Sequence, residues 1–149
     1  MSEERLKIYY ATPIRGKQNA GSMLIDTVIR AAKAFDATIV SQHELITGIA
    51  ETLDDTGIYQ RDMVWLNQAD CLIAEITEAS TGVGYELYHA IHVRKIPVLC
   101  LYRKWSHPSA MITGIRNSGA KLSLREWELL GDAYSDMLAF LTVVGLAAL

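Results

Sequence analysis

Two carboxylates stand out for the company they keep. Glu86 follows Ser80-Thr81-Gly82-Val83-Gly84, small residues that allow a strand to turn tightly into a helix. A carboxylate at the start of that helix feels the positive end of the helix dipole and is expected to stay ionised. Such a group can act as a nucleophile or stabilise a developing cation. It is equally an ordinary helix-start residue. Asp62 falls four residues after Ile58 and three before Trp65, on the apolar side of its own helix. An acid buried there holds its proton near neutral pH if no cation answers it. A partner such as Arg61, a helix cap or a loop amide would make it structural instead. Taken together, one ionised carboxylate and one poised acid are what cleavage of a glycosidic bond requires.

Other residues could serve the same crevice. Arg15 and Lys17 follow the first strand, and with the Ser80 hydroxyl and the N–H groups of residues 80–84 they could hold a phosphate. Tyr9 could point a hydroxyl into the crevice or simply pack in the core. His89 and His92 lie three apart on one helix, but no carboxylate or third histidine falls in register, so no metal site is expected. His43 and His107 are loop histidines with no evident partner. No GxxxxGK[ST] or GxGxxG fingerprint is present, and no cofactor is expected.

These residues need a frame. The chain has 149 residues, half of them hydrophobic, with a net charge of −3, and suits one domain spanning 1–149. No long basic run appears, so polymeric nucleic acid is not an expected partner. Cys71 and Cys100 sit inside apolar runs and read as buried, reduced thiols. The N-terminus lacks a signal-peptide core, and the apolar tail 139–149 is too short and broken to span a membrane. A cytoplasmic location without membrane contact is expected. Strands are expected at Leu6–Ala11, Thr38–Val40, Asp70–Ile76, Pro97–Tyr102 and, at one edge, Lys121–Ser123. Helices are expected at Gly21–Phe35, Ile58–Ala69, Val83–Lys95, Ser109–Ile115 and Leu124–Val144, the last with Trp127 on its apolar side. A partial helix near Glu44–Thr52 precedes a loop. The alternation implies an α/β fold with helices on both faces of a five-stranded parallel sheet, order 2-1-3-4-5. The loops 12–19 and 77–84 would then face each other where ligands bind such sheets.

The segments IYYATPIRG (8–16), RDMVWLNQADCLIAEITEASTGVGYEL (61–87), KIPVLCLYR (95–103) and SAMI (109–112) carry a resemblance. In order and spacing they resemble the 2′-deoxynucleoside 5′-monophosphate N-glycosidases, a branch of the nucleoside 2-deoxyribosyltransferase superfamily. The resemblance implies a flavodoxin-like fold, a homodimer, and hydrolysis of the N-glycosidic bond of a nucleoside monophosphate to free base and sugar 5-phosphate. It implies that Glu86 attacks C1′ and forms a glycosyl-enzyme, that Asp62 is the acid/base, and that Tyr9 sits near the sugar and the nucleophile. It implies phosphate contacts from Arg15 and Ser80, with Ser109 reaching the phosphate of the neighbouring subunit. Ile14, Gly16, Gly82 and Gly84 correspond to backbone parts of the pocket. The chain departs from the family at Tyr88, commonly Gly, in the loop after the first strand, and over 42–57.

Two other functions are compatible with the residues. A deoxyribosyltransferase would pass the sugar to a second base, but the apolar ending Val144 to Leu149 lacks the carboxylate-bearing C-terminus of the transferases it resembles. A non-catalytic nucleotide-binding module would have kept the pocket without needing both Glu86 and Asp62. A flavin carrier lacks the Ser/Thr-rich phosphate loop after the first strand.

Overall fold

The computed structural model describes residues 4–14 and 20–149. Apolar runs form the centre of a parallel sheet: β1 (Lys7–Ala11), β3 (Cys71–Glu75) and β4 (Val98–Arg103), flanked by β2 (Thr38–Ile39) and β5 (Leu122–Trp127). The order is β2-β1-β3-β4-β5, as the alternation of elements requires. All five residues of β3 are buried, which fits its position between two helical layers.

Side chains alternate across this sheet. Ile8, Tyr10, Cys71, Ile73, Leu99 and Leu101 face one layer, made by α1 (Ala20–Met23), α2 (Ile25–Ala34) and α7 (Leu130–Ala147). Tyr9, Ala11, Leu72, Ala74, Val98 and Cys100 face the other. That layer contains α4 (Asp55–Gln68) and α5 (Thr81–Tyr88), which continues as one π-helical stretch, His89–Arg94. Ala133, Met137, Leu141 and Val144 of α7 are buried in the first core. α7 is long and apolar enough in composition to cross a bilayer, contrary to the reading of the tail alone, but this stripe fastens it to the sheet. Both cysteines are buried free thiols.

Several boundaries differ from expectation. The edge strand runs on to Trp127, so the last helix starts at Leu130 rather than Leu124. Six residues of β5 pair with β4, and the Trp127 indole donates to the buried Glu75 carboxylate at 2.6 Å. A buried partner thus outweighs the helical spacing of the local sequence. Between β2 and α4 stands only a four-residue helix, α3 (Glu44–Thr47), ended by Gly48 at φ 72°. Asp54 then caps α4 by accepting from the Gly57 N–H, so that helix starts three residues early.

Burial raises the proton affinity of Glu75, and the Thr77 amide and Trp127 indole oppose that rise. Trp127→Phe keeps the ring and deletes the donor. It is expected to cost about 1–3 kcal/mol in urea denaturation, because the carboxylate is left short of a partner. An unchanged midpoint would remove that role from the indole.

Candidate active site

The first and third strands end side by side, with Ala11 level with Ala74. A cleft of about 910 Å³ opens above them, at the point where the strand order reverses. Thr12 and Ile14 enter it from β1, and His43, Glu44 and Glu51 from the segment around α3. Arg61 and Asp62 come from α4, and Ser80, Gly82 and Glu86 from α5 and its cap.

Ser80 caps α5: its hydroxyl accepts from the Val83 N–H at 3.3 Å, and its carbonyl from the Gly84 N–H at 3.0 Å. The expected glycine loop is therefore the first turn of the helix, and Gly82 and Gly84 have ordinary helical backbones. This places Glu86 in the second turn, where the dipole is weaker. Its Oε2 is buried, and burial pushes the carboxyl up to about 8, opposed by the Tyr9 hydroxyl and reinforced by Asp62. The expectation of an ionised Glu86 is corrected accordingly: desolvation outweighs the dipole. The Tyr9 hydroxyl lies against this carboxyl without completing a well-formed hydrogen bond. Burial, with Glu86 and Asp62 beside it, holds the phenol far above its ordinary range, so it remains a donor.

Asp62 has a cation beside it. Arg61 Nε donates to its Oδ1 at 3.0 Å, and Nη2 lies 2.9 Å from the same oxygen. The Arg61 guanidinium also donates through Nη1 to Glu51 at 2.6 Å and lies over the Trp65 ring, 4.5 Å from its centroid. His43 stands edge-on between Tyr9 and Trp65, at 6.0 and 5.3 Å. Burial lowers its proton affinity, which favours the neutral ring.

Glu86 supplies a stability prediction. Its folded pKa, about 8, lies above the ordinary 4.5, so the folded chain binds the extra proton between those values. Stability contributed by that proton is present below about 4.5 and is lost as pH rises through about 8. Glu86→Gln is therefore expected to stabilise the fold increasingly with pH, by ~2–4 kcal/mol at pH 8.5. Urea melts of both proteins at pH 5 and 8.5 measure this; an advantage that does not grow with pH would contradict it.

Of the residues singled out in the sequence, Glu86, Asp62, Ser80, Gly82 and Ile14 share this cleft, while Tyr9 is fully buried behind the lining with its hydroxyl beside Glu86. Gly84 and Ser109 line a second cleft of about 620 Å³ on the other side of the Ala79–Thr81 wall. The Ser109 hydroxyl accepts from the Met111 N–H at 3.3 Å, capping α6 (Ala110–Thr113). Arg15, Gly16 and Lys17 lie outside the described residues. His43, Glu51 and Arg61 were not read as site residues from the sequence. The Arg61-Asp62 adjacency is the one signal the sequence offers, and by itself it points only to a structural pairing.

The profile of the nucleoside 2-deoxyribosyltransferase family matches residues 8–124. The 5-hydroxymethyl-dUMP N-hydrolase of Tetraodon nigroviridis is 40% identical over 88% of this chain and 99% of its own. That of Mus musculus is 33% identical over 88% of this chain and 76% of its own. Among solved structures, the Clostridium botulinum CMP N-glycosidase has the same fold at 11% identity, with a TM-score of 0.65 over 88% of this chain and 97% of that one.

Proposed function

The chain belongs to the nucleoside 2-deoxyribosyltransferase family and is an N-glycosidase, and from that premise we propose that it hydrolyses 2′-deoxynucleoside 5′-monophosphates. The observation that carries this reading is the meeting of Glu86, Tyr9 and Asp62 over one cleft beside the start of α5. The phosphate lies at that start, against Ser80, with the N-terminal amides and the dipole favouring an anion. Arg15 supplies the countercharge. Phosphate binding is remote from the reacting bond, so it orients C1′ over Glu86.

The reaction proceeds in two steps. A Glu86 carboxylate oxygen attacks C1′ while the C1′–N bond breaks and its electron pair leaves with the base. The proton that burial keeps on Glu86 must depart first; Asp62 is the neighbouring acceptor and passes it to the base. In the second step Asp62, again a carboxylate, takes a proton from water. The water oxygen bonds to C1′, the ester to Glu86 breaks, and sugar 5-phosphate is released. The Tyr9 hydroxyl steadies the Glu86 carboxylate between the steps.

The second cleft carries exposed Tyr88 and Met111 beside Ser109. A second copy seated there would bring its own Ser109 toward the Ser80 wall, so the working form is a homodimer. Its compartment is the cytoplasm, where Cys71 and Cys100 remain reduced.

Base release measured by chromatography tests the proposal, using deoxy- and ribonucleoside monophosphates, 5-hydroxymethyl-dUMP among them, beside the matching nucleosides. Free base from monophosphates alone is expected. A new nucleoside formed only with an acceptor base would make the enzyme a transferase.

A further inference from the structure

Asp62 is held in an unusual way. One guanidinium N–H, Nε, donates to a single carboxylate oxygen, Oδ1, at 3.0 Å, and Nη2 lies 2.9 Å from the same oxygen as an ion-pair contact without a hydrogen bond. Oδ2 takes no hydrogen bond among the described residues, and Asp62 lines the cleft. A bidentate pair would engage both oxygens; this one leaves the second available. Arg61 is itself fixed from two other sides. Glu51 takes Nη1 at 2.6 Å, and the Trp65 ring lies under the guanidinium plane at 4.5 Å. Glu51 is also anchored, because its other oxygen accepts from the Thr52 and Leu53 amides, both at 3.0 Å. The chain of contacts runs from backbone to Glu51 to Arg61 to Asp62, and ends on an oxygen that no described residue engages.

We propose that Arg61 is a positioning residue: it pins Oδ1 of Asp62 so that Oδ2 alone faces the scissile bond. The proposal rests on the reading of Asp62 as the acid/base. Arg61 touches neither sugar nor base in this role; it acts through Asp62, with Glu51 and Trp65 fixing its direction. An unpinned carboxylate rotates between orientations, and misplacement of a reacting group by about 1 Å costs on the order of 10²-fold in rate. The phosphate is bound elsewhere, so the loss falls on kcat rather than KM.

A double-mutant cycle separates this role from simple structural support. Arg61→Ala is expected to lower kcat about 10²-fold at nearly unchanged KM for a deoxynucleoside monophosphate. In an Asp62→Asn background the same change is expected to cost less than about threefold, because the group it positions is already disabled. Arg61→Lys is the second variant, for use if the alanine protein melts early. It retains the charge and the reach to Glu51 but lacks the Nε donor that holds Oδ1, and the same cycle is expected to show a smaller, equally non-additive loss. Equal fold-losses in both backgrounds would overturn the positioning role and leave Asp62 in place. Asp62→Asn at the wild-type rate would overturn the reading of Asp62 itself.

Discussion

Glu86→Ala is expected to abolish base release, with kcat falling on the order of 10⁴-fold or more while monophosphate binding persists. The reason is local. Glu86 lines the cleft against the buried Tyr9, and burial pushes its carboxyl up to about 8. Of its acidic neighbours, Asp62 and Glu51 are both engaged by the Arg61 guanidinium, whereas Glu86 stands against the Tyr9 hydroxyl. Binding is expected to survive because the phosphate site proposed at Ser80 and the start of α5 does not include the side chain at 86. Single-turnover base release and equilibrium titration with a monophosphate measure the two quantities separately. Retained turnover would remove Glu86 as nucleophile; lost binding would make it a ligand contact instead.

Asp62→Asn is the second large effect, a loss of roughly 10²–10⁴-fold in kcat. An amide there retains volume and can still accept a hydrogen bond from Arg61, so the helix and the ion-pair neighbourhood change little. It can neither deliver a proton to the departing base nor take one from water. The loss should shrink for bases that leave readily as anions, because they need less help from an acid. A series of 5-substituted pyrimidine monophosphates tests this through the slope of rate against base acidity. A loss of the same size for every base would assign Asp62 to the water step alone.

The frame was legible because burial leaves a mark on composition. Three central strands read as apolar runs, and alternation with helices set their order without any contact information. β5 was cut short because LSLREW carries two charges and looks half like a helix; only its pairing with β4 and the Glu75–Trp127 bond reveal its length. The positions of Glu86 and Asp62 are legible for the same periodic reasons, and the charge state of Glu86 is not. The dipole argument for Glu86 needed the helix to start near it, and the helix starts at Thr81. Desolvation depends on what covers Oε2, which no local pattern encodes. The spacing puts Asp62 on the side of α4 that lines the cleft, but its fastening by Arg61 depends on the rotamers of adjacent residues and on Glu51, ten residues before Arg61. His43 is not legible as a site residue, because its neighbours Tyr9 and Trp65 come from other elements.

The covalent step at Glu86 is the centre of the account. Wild-type enzyme mixed with a 2′-deoxynucleoside 5′-monophosphate, quenched in acid within the first turnover and digested, can be mapped by mass spectrometry. The account predicts deoxyribose 5-phosphate esterified to the peptide that contains Glu86, and its absence from Glu86→Ala. The sugar phosphate found on another residue, or the same adduct surviving in Glu86→Ala, would contradict it.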